Sequence, residues 1–325
     1  MRLSNQTKIL NGLILIFAVF PIIPNKIKGL PVVLLFIASL FFFNKREINW
    51  KWLFINSSVF LMYLISVIYS DDLSLSLKKL ETGLSILVIP ITFFVLLPRF
   101  KISNTTRLLF IKTFIGSTSV FSLYSFVLIL LKKSSLNYLW STDKYRNIII
   151  DMPLVGQHPI YASIFLALSI IFFVFMLKQK LFKNYEEKLF FLILTAINLV
   201  FLLFLSSKGA ILALFIIIFF YCILEITKKT HKYLIVFTFI FSLITLSIYN
   251  RRMNELISAQ TYEEFNPTLS TSIRLGIYDC SFTIIKQQLF MGYGVGDAQK
   301  ELNLCYANKS DILLMHRFNS HNQYL

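Results

Sequence analysis

The stretch FLLFLSSKGAILALF, residues 201–215, decides the class of fold. Long apolar runs flank four residues, Ser206, Ser207, Lys208 and Gly209. Four residues are too few for a free loop, so the stretch reads as a tight turn between two helices. Each flanking run approaches the length of about 20 apolar residues that a helix needs to cross a bilayer. A lysine at the head of such a hairpin has no acidic neighbour. It either snorkels into the head groups or holds an anion at the mouth of the bundle.

Composition extends this reading to the whole chain. The 325 residues are 56% hydrophobic and only 15% charged, with 34 phenylalanines and a mean hydropathy of +0.70. A soluble domain of this length needs more polar surface to cover its core. The formal net charge is +16. In a soluble protein that would suggest nucleic acid. Here the basic residues fall in short segments between apolar runs, where they set topology and meet anionic lipids. No basic stripe with interleaved aromatics lies outside those runs, so nucleic acid is excluded as a partner.

Nine helical spans are predicted, at 9–23, 30–43, 52–69, 83–97, 108–131, 159–177, 189–206, 209–226 and 233–249. The fold class is all-α: a polytopic transmembrane helical bundle. Pro90 inside the fourth span predicts a kink. With the N-terminus in the cytoplasm, inner segments hold sixteen basic residues and outer loops nine. The positive-inside rule favours that orientation, and it sends 250–325 to the outer face. No cleavable signal peptide is evident. Two outer regions are long enough for function, 132–158 and 250–325.

Within 250–325 an amphipathic helix is predicted at about 271–289. Ser270-Thr271-Ser272 would supply its N-cap. Ile273, Ile277, Cys280 and Ile284 would form its apolar side, with Phe282 beside them. Arg274 and Tyr278 share a face, four residues apart. Gly292, Gly294 and Gly296 then form a tight turn that allows close backbone approach. Cys280 and Cys305 fall in the same region. Outside the cytoplasm they are free to form a disulfide; two free thiols are the alternative.

Arg274 offers a planar fork matched to phosphate oxygens; the plainer reading is a head-group contact or a solvated side chain. His321, between Ser320 and Asn322, is either a surface histidine or a base able to take a hydroxyl proton near neutral pH. Asn322 would orient it or bind a sugar hydroxyl. His158 precedes Pro159 at the outer start of the sixth span. It is a polar helix start or part of the same outer site. There is no P-loop and no Gly-x-Ser-x-Gly elbow. His and Cys lack metal-ligand spacing, and Asp71-Asp72 lacks the spacer of a DxD pair. No cofactor and no metal are expected.

Four segments together resemble the O-antigen ligase and O-antigen polymerase superfamily of bacterial inner-membrane enzymes. They are SSKGAILAL (206–214), IRLGIY (273–278), the glycine turn 292–296, and His321, Asn322 and Leu325. They occur in the family's order, over residues 195–325, with 1–194 as N-terminal transmembrane helices. The family usually has Arg at the position of Lys208 and Trp at that of Tyr278. Lysine keeps the charge but loses the bidentate fork. Members continue past the His-Asn motif, so two or three further helices are expected after residue 325.

The resemblance implies metal-independent glycosyl transfer on the periplasmic face, with 250–325 as a large periplasmic loop. The donor would be a glycan on undecaprenyl pyrophosphate. The acceptor would be a lipid A core sugar in a ligase or another lipid-linked repeat in a polymerase. Lys208 and Arg274 would neutralise the leaving pyrophosphate and His321 would be the base. Asn322, Tyr278 and His158 would contact substrate. A transporter or flippase without chemistry is the rival class. It predicts ionisable residues lining a path inside the spans, where almost none occur.

Overall fold

The computed structural model describes residues 2–42, 48–97, 100–131, 142–225, 251–263, 265–316 and 318, with isolated positions between 233 and 248. Among these residues every regular element is helical. In chain order they are α1 (Arg2–Phe17), α2 (Leu30–Leu40), α3 (Trp50–Ser66), α4 (Leu73–Gly83), α5 (Ser85–Pro90), α6 (Asn104–Leu131) and α7 (Thr142–Ile150). Then come α8 (Pro159–Lys178), α9 (Tyr185–Leu205), α10 (Lys208–Glu225), α11 (Ser270–Gln287), α12 (Ala298–Ala307) and α13 (Asp311–His316).

Among the described residues four helices are long and apolar enough to cross a membrane: Trp50–Tyr69, which is α3 with its closing 3-10 turn, and α6, α8 and α9. A fifth span results if α4 and the apolar run Ser85–Leu96, bent by 41°, count as one. The protein is therefore a multi-pass membrane protein. The segments predicted at 9–23 and 209–226 form shorter apolar helices, Thr7–Phe17 and Lys208–Leu224. The segment at 30–43 forms the 11-residue α2, about 16 Å long and half a bilayer's hydrocarbon depth. The span predicted at 233–249 lies outside the described residues apart from isolated positions. At Pro90 the α-helical turns of α5 end and the chain continues in wider π-helical turns over Ile91–Leu96; the 41° bend of this segment lies earlier, between Gly83 and Ser85.

The chain forms two compact units, each discontinuous in sequence. The first comprises Met1–Leu35 and Lys101–Met253. Its core lies between α6, α8 and α9 and includes Phe121, Leu166, Ile170, Leu202 and Leu205. Apolar packing cannot choose between lipid and helix inside a membrane, so hydrogen bonds and close approach must. A row of small polar residues on α6 provides both. Ser117 Oγ donates to the Ala18 carbonyl at 2.6 Å, and Ser119 Oγ to the Leu194 carbonyl at 3.2 Å. Ser122 Oγ donates to Asn198 Oδ1 at 3.2 Å, and Asn198 Nδ2 donates to Ser169 Oγ at 3.0 Å. Fully buried Asn198 thereby joins α6, α8 and α9.

The ends of these helices carry their own signals. Asn184 caps α9 by accepting from the Glu187 N–H at 2.9 Å. Glu186 and Glu187 occupy its first turn, where carboxylates suit the helix dipole. Glu187 also pairs with Lys112 of α6 at 2.6 Å. The start of α9 is thus fixed to the early part of α6.

The second unit comprises Phe36–Phe100 and Asn254–Leu325. Its extramembrane core is small: Ile277, Cys280, Leu302, Tyr306 and Leu313, with Phe265, Ile273 and Ile284 against them. A disulfide joins Cys280 of α11 to Cys305 of α12, with Cα atoms 5.7 Å apart. This settles the alternatives left by the sequence in favour of the pair. Burial in this core pushes the Tyr306 phenol up to about 12.

Replacing Asn198 by Ala removes both side-chain bonds at once. We expect a loss of about 1 kcal/mol, the usual scale for such bonds between membrane helices. Thermal unfolding in detergent checks it; a variant as stable as the parent would remove the row from the account.

Candidate functional site

The hairpin at 206–209 forms as the sequence suggests. Helix α9 stops at Leu205, and Ser206 turns the chain with φ 47° and ψ 40°. Lys208 then opens α10 and is half-buried. A cation at a helix N-terminus opposes the dipole. An anion bound there would meet the lysine and the first backbone N–H groups of α10 together.

A second cation stands beside this turn. Arg146 Nη1 donates to the carbonyl of Leu205, the last residue of α9, at 3.0 Å. Its helix, α7, is amphipathic: Tyr145, Ile148 and Ile149 are buried in the core. The Tyr145 hydroxyl meets Ser125 at 3.1 Å, and burial pushes its pKa far above the ordinary value. These contacts fix the direction of Arg146. Arg146 is one of the nine basic residues of the outer loops; the sequence signal that marks it is the apolar spacing of Tyr145, Ile148 and Ile149 around it.

His158 lies at the same end of the first unit, because the short 179–184 connection makes α8 and α9 antiparallel neighbours. It is exposed, and its Nδ1 accepts from the Ile160 N–H at 3.3 Å. His158 therefore serves as the N-cap of α8, with Pro159 in first position. Beside it, Gln157 is buried and accepts from Lys28 Nζ at 3.3 Å through Oε1. Partial burial holds the Lys28 ammonium below the ordinary lysine value. This end of the unit gathers Lys28, Arg146 and Lys208.

In the second unit Arg274 is exposed on α11, with half-buried Tyr278 one turn on. The expected cap needs correction. The N-cap position is Leu269, with no side-chain capping bond. Instead the Glu255 carboxylate accepts from Ser270 Oγ at 2.8 Å and from the Thr271 N–H at 3.4 Å. A carboxylate from elsewhere in the chain does what a serine cap would do, and it adds a favourable charge. Phe282 also needs correction. It is 52% exposed, away from the buried side made by Ile273, Ile277, Cys280 and Ile284.

The glycine turn meets the chain itself. Val295 N–H donates to Ser66 Oγ and Gly296 N–H to Ser70 Oγ, each at 3.2 Å. Asp297 follows. Its Oδ2 accepts from Ser70 Oγ at 2.7 Å and from the Asp71 N–H at 2.6 Å, and its Oδ1 from the Asp72 N–H at 3.2 Å. The Ser70 hydroxyl, and after it the two backbone N–H groups, hold this carboxyl below its ordinary pKa against the opposing effect of burial. No side chain fits at Gly294 or Gly296. A Cβ on Gly294 would come within 2.9 Å of Ser70 Cβ, and one on Gly296 within 2.4 Å of the Asp72 carbonyl. Gly294 also has φ +81°. Asp71 and Asp72 thus work through their backbones, while the Asp72 side chain caps α4 by accepting from the Leu75 N–H at 2.8 Å.

Residues 190–325 match the family model described as O-antigen ligase. The match supports the O-antigen ligase superfamily for this region. A comparison with curated proteins and one with solved structures return no match. The ligase region contains Lys208, Arg274, Tyr278 and the glycine turn. Lys208 and His158 belong to the first unit, Arg274 and Tyr278 to the second. His321 and Asn322 lie outside the described residues.

Asp297→Ala leaves Ser70 Oγ and two N–H donors without their acceptor. We expect about tenfold faster proteolysis of the 293–300 turn. An unchanged rate would show that the turn is held without it. Because the folded pKa is depressed, the carboxylate's contribution is present above the unfolded value of about 3.9. It is lost as pH falls through the folded value. Parent and variant should therefore converge as pH falls through that depressed folded value.

Proposed function

We propose that this protein is a glycosyltransferase of the O-antigen ligase type. It moves a glycan from undecaprenyl pyrophosphate to a lipid A core sugar on the periplasmic face of the bacterial inner membrane. The observation that carries this reading is the family match. It covers the one stretch that holds Lys208, Arg274, the glycine turn, His321 and Asn322. The Cys280–Cys305 disulfide supports the periplasmic assignment of 250–325, since such bonds persist in oxidising compartments.

The chemistry needs two things from the protein. The acceptor hydroxyl attacks the anomeric carbon of the donor and gives its proton to His321. The bond from that carbon to the pyrophosphate oxygen breaks, and undecaprenyl pyrophosphate leaves with the electron pair. This leaving group is already an anion, so it calls for cations and no protonating acid. Lys208 and Arg274 take that role, and Arg146 adds positive charge at the Lys208 turn. Asn322, Tyr278 and His158 contact the sugars.

His321→Ala should abolish polysaccharide attachment while the protein stays in the membrane; normal attachment would overturn the base role. Lys208→Arg should retain activity and Lys208→Ala lose about a hundredfold or more, the scale of removing one transition-state charge contact. An Ala variant with normal activity would remove the pyrophosphate role. The glycans of a deletion strain separate the ligase from a polymerase. Lipid-linked polymer accumulates without a ligase, and single lipid-linked repeats accumulate without a polymerase. After reduction, the partly exposed Cys305 should react with a membrane-impermeant maleimide added from the periplasmic side. Labelling from the cytoplasmic side alone would reverse the orientation.

A further inference from the structure

Helix α11 has two apolar faces, and among the described residues its own core covers one of them. Ile273, Ile277, Cys280 and Ile284 face that core. Leu275, Tyr278, Phe282 and Ile285 form another stripe, all within about 80° of arc and about 150° round from the first. Leu275 is 40% exposed and Phe282 52% exposed, while Tyr278 and Ile285 are half-buried. Beyond the helix the stripe runs into a turn whose three side chains are open: Leu289 at 66%, Phe290 at 95% and Met291 at 64%. The turn has a defined shape. Gly292 N–H donates to the Gln288 carbonyl at 3.1 Å, and the Tyr293 hydroxyl to Gln287 Oε1 at 3.0 Å.

The level of this turn is set by its bonds to α3. The span Trp50–Tyr69 is 20 residues, about 30 Å, which matches the hydrocarbon depth of a bilayer. Exposed Trp50 and Trp52 stand at one end and exposed Tyr69 at the other, as interfacial aromatics do. Val295 and Gly296 are bonded to Ser66 and Ser70 at the Tyr69 end. Phe290, five residues before Val295, is therefore within about 17 Å of that boundary. Arg274 and Lys286 flank the stripe, one about 20° beyond each edge, and both are exposed. Basic residues on both margins of an apolar stripe are the pattern of a helix that lies in a membrane surface.

We propose that α11 lies along the bilayer interface. The Leu275, Phe282 and Ile285 side chains of its stripe and the Leu289–Met291 turn sit among the upper acyl chains, with the Tyr278 hydroxyl at head-group level. Arg274 and Lys286 are at head-group level. The partner is the lipid of the membrane that the protein already spans, and the inference does not depend on the proposed reaction.

The test uses the full chain with Trp50→Phe, Trp52→Phe and Trp140→Phe, carrying one new tryptophan and reconstituted in phosphatidylcholine vesicles. With lipid brominated in the upper acyl chain, the emission of Phe282→Trp and Phe290→Trp should fall about twofold or more, as expected for side chains a few ångströms below the head groups. Thr283→Trp, exposed about 100° round the helix, should change little. Formation of the Cys280–Cys305 bond reports that each variant has folded. Leu275→Trp reads the same stripe if either of the first two fails that check. Emission quenched no more than that of Thr283→Trp would overturn the proposal. So would blue-shifted emission that bromine does not reach, because a protein surface would then cover the stripe.

Discussion

Asn198 is the residue on which the first unit depends. It is a fully buried amide in the middle of an apolar helix, and its two ends bond to different helices. In water such an amide would stabilise little. In lipid, apolar contacts are nearly interchangeable, so a hydrogen bond that exists in one arrangement fixes the register of α6, α8 and α9. The remaining serines of α6 continue the effect. Ser117 reaches the end of α1 and Ser125 reaches Tyr145. The position of α7, and with it Arg146 at the Lys208 turn, follows from that row.

Features that depend on a few neighbouring residues were legible in the sequence. The turn at 206–209, the start of α8 at His158-Pro159, the break at Pro90 and the tight glycine turn all have local causes. Features that depend on distant partners were not. Nothing near Ser270 indicates that Glu255 will cap its helix, and nothing near Asp71-Asp72 indicates that Asp297 will accept from their N–H groups. The cysteine pair was legible as a possibility only, since spacing cannot decide whether two chains of side chains converge. The number of spans is a different matter: of the nine predicted, four or five are long and apolar enough among the described residues. Hydropathy measures apolar length, but α2 is apolar over only 11 residues of regular helix, and hydropathy does not register where a helix stops.

The candidate site divides along the same line. Its candidate groups were visible as residue types in an order: Lys208, Arg274, then His321. The groups that hold them were not visible. Arg274 stands on a helix fixed by a disulfide and by Glu255, and Lys208 stands at a turn steadied by Arg146. Residue types are read directly from the sequence, whereas the contacts that hold these groups join residues many positions apart in the chain.

The bonds from Asp297 to the 70–72 loop have a consequence in time. The two partners are separated by 227 residues. At about 5–20 residues per second, the ribosome needs roughly 11–45 s to cover that distance. During that interval α3 is already available for insertion, while the loop after it presents two backbone N–H groups and a serine hydroxyl without their acceptor. Water or lipid phosphate must serve them until residue 297 arrives. The second unit is therefore completed late, and a ribosome that stalls before Asp297 leaves an inserted chain whose early loop is unfinished.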